Sequence, residues 1–196
     1  MKICIFGSNG MTGRELVCSA KAKGFEVVPF SYRDGQNVLD YEAVLKAITG
    51  CDAVISTLGH IKGSDPLMQT KGMANIVKAL KEIGLRRVLS LTGTGARVPG
   101  DKPSFLDHFL NFGVKLVDPE RINDGVAHVK VLQESGLDWT IVRVLKLSNS
   151  DAEIKSYKLT EQGPAELFSS RKKVAKVLID LLNDKDSFGK LPVISG

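Results

Sequence analysis

The sequence predicts an α/β protein built on a doubly wound, mainly parallel sheet with helices on both faces. Three observations lead there. Short, almost continuous apolar runs rich in β-branched residues recur along the 196 residues. Segments with helical apolar spacing alternate with them. No linker-like stretch of Pro, Gly or Ser divides the chain, so residues 1–196 read as one domain.

The first run, Lys2–Phe6, has the continuous apolar character of a strand covered on both faces, and it passes through a glycine-rich stretch into a helix-like one. Glu26–Phe30 and Asp52–Thr57 are strands of the same kind. Asp65–Ile83 is the clearest helix: Met73, Ile76, Val77, Leu80 and Ile83 form one apolar stripe, and Gly84 supplies the C-terminal stop. Arg87–Leu91 is the next strand. Arg97–Glu120 then reads as a helical hairpin carrying Phe105, Leu106, Phe109, Leu110 and Phe112, some as core and the rest as a mobile apolar lid. Trp139–Arg143 is a strand, Val174, Val177, Leu178 and Leu181 repeat the helical stripe, and Leu191–Ile194 is the last strand. Right-handed crossovers join such units.

With 43% hydrophobic and 25% charged residues, the chain has material for a sizeable core. The net charge of +5 is dispersed, and its tightest runs, Arg86-Arg87 and Arg171-Lys172-Lys173, are short. They read as solvated helix faces and ends, so no nucleic-acid partner is expected, although a positive field favours a small polyanionic ligand. Cys4, Cys18 and Cys51 lie in apolar contexts without metal-ligand spacing and read as buried thiols of a reducing compartment. Met1 and Lys2 lead straight into the first strand without a signal-peptide pattern, and no apolar segment approaches the roughly 20 residues that span a bilayer. A cytoplasmic protein with no membrane partner is therefore expected. Oligomeric state is not encoded in any feature of this kind.

The stretch "KICIFGSNGMTGRELV" is strand, glycine-rich turn, helix. Gly7 allows the tight turn off the strand, Gly10 lets a pyrophosphate approach the backbone, and Gly13 lets the helix pack closely on the sheet. Ser8, Asn9, Met11 and Thr12 complete the turn, whose free amides and helix dipole would hold phosphates. This is the fingerprint of a Rossmann-type dinucleotide site.

The spacing Gly-x-x-Gly-x-x-Gly in "IFGSNGMTG" resembles that of the short-chain dehydrogenase/reductase superfamily. "DAVISTLG" at Asp52–Gly59, "GMANIVKALKEIGLRRVLSLTGTGA" at Gly72–Ala96 and "HVKVLQESGLDWTIVR" at His128–Arg143 extend the likeness over most of the chain. Together they resemble its atypical branch, which includes flavin and biliverdin-IXβ reductases and regulators of nitrogen metabolite repression. The departures are specific. None of Tyr32, Tyr41 or Tyr157 has a lysine four positions on, so the Tyr-x-x-x-Lys proton-transfer pair of classical members is absent. Only six residues separate Arg33 from Asp40, where the family has a helix and a third strand, so that strand is expected to be missing. Val144 stands where the family commonly places proline, and Val129 where the reductases carry histidine.

Arg33, just past the second strand, suits the 2′-phosphate of NADP, so NADP (NADPH) is expected over NAD. Its alternative is an exposed loop charge. Asp40 either approaches the adenine, as the resemblance implies, or caps the helix that begins at Tyr41. Thr57, Leu58 and Gly59 follow one strand and Thr92 another, at the carboxyl ends where the crevice of an open sheet lies. The resemblance places Thr92 near the substrate and Lys130 at the nicotinamide ribose; the alternatives are a turn hydroxyl and a surface lysine. His60, His108 and His128 offer no metal triad. His128, beside the matched segment, has the best claim among them to a proton donor's role, and His60 reads as a surface or packing residue.

The function that follows is an NADPH-dependent reductase passing hydride to a small planar acceptor of flavin or quinone type. The alternative is a non-catalytic NADP-binding redox-sensing regulator. A sugar-nucleotide epimerase ranks below both, because it needs Tyr-x-x-x-Lys and a longer C-terminal part.

Overall fold

The computed structural model describes residues 1–60, 63–150, 154 and 156–195. In chain order its elements are β1 (Lys2–Phe6), α1 (Met11–Ala22), β2 (Glu26–Phe30), α2 (Tyr41–Ile48), β3 (Ala53–Ser56), α3 (Met68–Glu82), β4 (Arg87–Gly93), α4 (Phe105–Val117) and α5 (Pro119–Gln133). Then follow β5 (Asp138–Val144), β6 (Leu147–Ser148), β7 (Lys158–Thr160), β8 (Ser169–Ser170), α6 (Arg171–Asp180) and β9 (Val193–Ser195).

The main sheet has the order β2-β1-β3-β4-β5-β9-β7, parallel except where β7 runs antiparallel to β9. It is the doubly wound α/β sheet that the sequence predicts. β2 stands at the edge, and the chain leaves it through a 3₁₀ turn at Tyr32–Asp34 and enters α2 directly, so the expected loss of a third strand is real among the described residues.

Alternation along the strands builds two cores. Cys4, Phe6, Val54, Val88 and Ile141 face α2, α3 and α5 through Val44, Ile48, Met73, Ile76, Leu80 and Leu132. Ile3, Ile5, Ile55, Leu89 and Val142 face α1 and α6 through Leu16, Val174, Val177 and Leu178. Each such fully buried side chain contributes about 1.5–3 kcal/mol of transfer free energy. Beneath the glycine turn, the rings of Phe6 and Phe30 meet at 4.6 Å between centroids and tie β1 to β2.

Four details differ from the sequence expectation. Helix α3 starts at Met68, because Asp65 forms a turn ahead of it: its carboxylate accepts from the Leu67 amide at 2.9 Å and its carbonyl from Met68 at 3.0 Å. The segment 97–120 is no hairpin in itself. It holds α4 and only the first two residues of α5, and Asp118 ends α4 while its side chain accepts from the Arg121 amide at the head of α5, where Pro119 begins the helix. Arg87 is buried rather than solvated: its guanidinium donates to the carbonyls of Leu181, Leu182 and Asp138 and packs 4.4 Å from the Phe188 ring. Of the cysteines, Cys4 and Cys51 are buried, but Cys18 is exposed on α1.

Candidate functional site

β1 connects to β2 on one side while β3 lies on the other, so the chain reverses its winding direction at β1. The crevice opens there, at the carboxyl ends of β1, β3, β4 and β5.

The glycine turn forms its floor. Gly7 has φ of +78°, a left-handed conformation that disfavours any side chain. Its amide and that of Ser8 both donate to the Phe30 carbonyl, at 2.9 and 3.2 Å. The Thr57 hydroxyl donates to the carbonyls of Phe6 at 3.0 Å and Gly7 at 3.3 Å, locking the loop after β3 to the turn. Gly10 is the extended N-cap of α1 and offers no capping side chain, which leaves the first amides of the helix to an outside acceptor. A Cβ at Gly10 would touch only the Gly7 carbonyl oxygen, at 3.1 Å. Ser8 is buried, and its hydroxyl has no hydrogen-bond partner among the described residues. An uncapped helix start beside an orphaned hydroxyl fits a pyrophosphate, whose oxygens would accept from both.

Toward the adenosine end, Asn9 donates to the Asp34 carboxylate at 2.7 Å, and Ser31 accepts from the Arg33 amide at 3.2 Å. The Arg33 side chain is exposed, with no ion-pair or hydrogen-bond partner among the described residues. Asp40 caps α2, accepting from the amides of Glu42 at 3.1 Å and Ala43 at 3.3 Å, so the capping alternative is the one its geometry carries.

Beyond the turn lies a cleft of about 520 Å³. Thr57, Leu58, Gly59 and Thr92 line it, as the sequence reading expects of residues at strand ends, and Thr12 joins them from the first turn of α1. Leu91, Val144, Leu110, Val114 and Ile122 make its walls apolar. α4 is held beside it by the buried Asp107, whose carboxylate accepts from Asn111 at 2.6 Å, from the Thr94 hydroxyl at 3.3 Å and from Arg97. Of the apolar residues expected on a lid, only Leu110 reaches the cleft. Phe105, Phe109 and Phe112 point outward, at 86%, 64% and 61% exposure.

Two expected site residues lie elsewhere. Lys130 stands on the solvent face of α5, 3.7 Å from Glu134, and is not part of the cleft lining. α5 presents Arg121, Ile122 and Gly125 to the cleft, and five further positions turn Lys130 roughly 140° away. His128 is fully buried, with Nε2 2.8 Å from the Ser90 hydroxyl. Burial pushes its pKa down to about 4 against a smaller upward pull from Asp124, so it is neutral near pH 7 and cannot serve as the proton donor.

Three residues were missed. His60 lines the cleft with its side chain buried, Nε2 lying 3.4 Å from Asp118 and Nδ1 lacking a partner among the described residues. It directly follows the matched Thr57-Leu58-Gly59, which was the available signal. Arg121 and Gly125 share the helix face that looks into the cleft. A Cβ at Gly125 would lie 3.0 Å from the Thr92 hydroxyl oxygen, so a bare backbone there gives Thr92 its room.

A sheet reversed at β1, with a glycine turn and an uncapped helix at the reversal, defines a dinucleotide-binding Rossmann protein. The NAD(P)H-binding family matches residues 34–185, and the chain belongs to that family. An uncharacterized protein of Mycobacterium tuberculosis is 30% identical over 100 residues; the match covers 45% of this chain and 12% of the relative, so this chain spans a small part of that protein. The uncharacterized protein YwnB of Bacillus subtilis is 26% identical over 160 residues, covering 72% of this chain and 70% of YwnB. Among solved structures, a short-chain dehydrogenase/reductase from Veillonella parvula in complex with NADP matches with a TM-score of 0.79 at 20% identity, over 100% of this chain and 94% of that one. The anaerobillin reductase ChuY from Escherichia coli matches with a TM-score of 0.80 at 18% identity, over 100% and 97%. At these identities the structures establish the fold. No helix among the described residues is long and apolar enough to cross a membrane.

Proposed function

We propose that residues 1–196 act as one NAD(P)-binding domain and that the protein is an NADPH-dependent reductase of a small planar acceptor, flavin or quinone in type. The observation that carries this is the uncapped start of α1 beside the orphaned Ser8 hydroxyl, opening directly onto an apolar cleft.

When bound, the reduced nicotinamide supplies the hydride. The chain supplies binding, orientation and exclusion of water. Gly7, Ser8, Asn9, Gly10, Met11, Thr12 and Gly13 form the turn around the pyrophosphate: the Gly7, Ser8 and Gly10 amides hold the turn in shape, and the first amides of α1 with the Ser8 hydroxyl are left to donate to the phosphate oxygens. Thr57, Leu58, Gly59 and Thr92 form the wall at the strand ends, and Leu110, Val114 and Ile122 keep the acceptor's face dry. A flavin or quinone collects its proton from water after hydride arrives, so neither Tyr-x-x-x-Lys nor His128 is required. Lys130 has no part in this proposal.

The choice of NADP rests on Arg33, whose guanidinium has no partner among the described residues and which follows the second strand where a Rossmann protein would meet a 2′-phosphate, while the nearby Asp34 carboxylate is engaged by Asn9. A structural neighbour that binds NADP agrees with it. A second reading, the redox-sensing regulator, is favoured by the outward apolar face of α4, where Phe105, Phe109 and Phe112 stand ready for a partner.

Following NADPH absorbance with flavin mononucleotide, with menadione and without acceptor separates the two. Turnover well above the acceptor-free rate supports the reductase. Tight NADP binding with no turnover supports the regulator.

A further inference from the structure

Resting on the reductase reading, we propose that Arg121 anchors an anionic arm of the acceptor, a phosphate or carboxylate, so that the physiological acceptor is a planar ring system bearing such a group.

The charge of the cleft lining is one-sided. Its walls are largely apolar, and the formally charged residues that line it are Arg121, Lys146 and Arg171, with no Asp or Glu among them; the Asp118 carboxylate lies at its edge, where it is engaged by His60 and by the Arg121 amide. A neutral planar ring needs no such bias, whereas an anion in a partly apolar cleft requires compensation.

The three cations have different circumstances. Arg171 begins α6, donates to Asn149 and also lines a second hollow together with Met11 and Arg14 of α1, so it belongs to the glycine-turn side. Lys146 lies 5.1 Å from the Phe168 ring centroid. The Arg121 guanidinium has no ion-pair, hydrogen-bond or ring partner among the described residues, while its backbone amide donates to the Asp118 cap. It projects from the first turn of α5, beyond the loop after β4, among Asn111, Val114 and Ile122.

Its position is also electrostatically unfavourable for the helix. The amino end of α5 carries the positive pole of the dipole, where an acidic side chain stabilises and a cation does the reverse. Glu120 and the Asp118 cap offset this in part, but the guanidinium itself remains available to a ligand. A fork of N–H donors suits phosphate and carboxylate oxygens, which it can take two at a time. The distance along the sheet matters too. The glycine turn follows β1, whereas Arg121 stands past β4, two strands away, so the cofactor's pyrophosphate is held elsewhere and the anion that meets Arg121 is carried by the acceptor.

The test uses acceptors that share a ring and differ in the arm. Riboflavin and flavin mononucleotide have the same isoalloxazine, and only the second has a phosphate; anthraquinone-2-carboxylate and anthraquinone form the matching pair for a carboxylate. Binding to the full chain saturated with NADP⁺ is measured by fluorescence or calorimetry at low and high KCl, for the parent and for Arg121→Gln. The parent should favour one anionic member over its neutral counterpart by about tenfold, as a charge-assisted bidentate contact allows. KCl and Arg121→Gln should each reduce that preference to near unity. The pair that shows it identifies phosphate or carboxylate. Equal affinities within both pairs, or a preference that survives Arg121→Gln in a variant that still binds NADP⁺, would overturn the assignment. Failure of the parent to bind NADP⁺ at all would instead remove the dinucleotide reading on which it rests.

Discussion

Gly13 of α1 sits so close to the Gly7 carbonyl oxygen that a Cβ on it would stand 2.0 Å away, with the Gly7 carbonyl carbon at 2.8 Å. The contact is backbone against backbone, so no side chain can yield. The helix start and the strand end therefore approach each other this closely only because Gly13 lacks a side chain. Gly13→Ala should lower stability by about 2 kcal/mol or more, since the helix must withdraw from the turn. Thermal or urea unfolding checks it, and a variant that unfolds with the parent would contradict the contact.

Arg33 and Asp34 set the cofactor choice between them. With Asp34 tied to Asn9, Arg33→Ala should weaken NADP about ten- to a hundredfold and leave NAD little changed, as expected for loss of hydrogen bonds to a charged group. Asn9→Ala should act in the same direction, because a released carboxylate repels a 2′-phosphate. Calorimetry with both cofactors decides. Equal loss of NAD and NADP in Arg33→Ala would make Arg33 a loop residue without selectivity.

His128 makes stability fall in mild acid. Its folded pKa of about 4 lies below the ordinary 6.5, so the unfolded chain binds the proton first as pH drops. Its contribution is complete above about pH 6.5 and declines between there and pH 4, by an amount on the order of 3 kcal/mol. Urea midpoints at pH 7.5, 6 and 5 should fall in the parent and fall less in His128→Gln. Parallel curves for the two proteins would count against the buried neutral state.

Asp107 fastens α4. Asp107→Ala leaves Arg97, Asn111 and Thr94 without their shared acceptor, so hydrogen exchange should quicken across Phe105–Val117 while β1 and β4 stay protected. Acceptor KM should rise more than cofactor affinity falls, because α4 contributes Leu110, Asn111 and Val114 to the cleft. Unchanged exchange in α4 would show that its seating lies elsewhere.

The sheet was legible where an apolar run meets a glycine or a change of period. Lys2–Phe6 and Glu26–Phe30 match their strands residue for residue, because each apolar, β-branched run stops at a turn residue, Gly7 and Ser31. β6 and β8, two residues each, and β7, three residues, are too short for any periodicity to register. The glycine turn was legible because its chemistry is in the backbone, and backbone demands show directly as Gly7, Gly10 and Gly13. Side chains on α5 were harder. A matched segment locates the helix, but which residue faces the cleft depends on rotation about its axis: Arg121 and Gly125 face in, Lys130 faces out, and His128 turns into the core with Val129 and Leu132. Arg87 escaped notice because a paired basic run looks solvated in sequence, and only the fold brings the Leu181 and Leu182 carbonyls to it.

The most direct measurement is a calorimetric titration of NADP⁺ into the parent and into Gly10→Val. The valine should be tolerated by the fold at the cost of a small shift in the turn, since a Cβ at Gly10 meets one atom, the Gly7 carbonyl oxygen at a tight 3.1 Å, while its branches enter the space claimed for the pyrophosphate. One-to-one binding by the parent, lost in a variant that melts with it, is the predicted result. A parent that does not bind, or a variant that binds as tightly, would contradict the dinucleotide site.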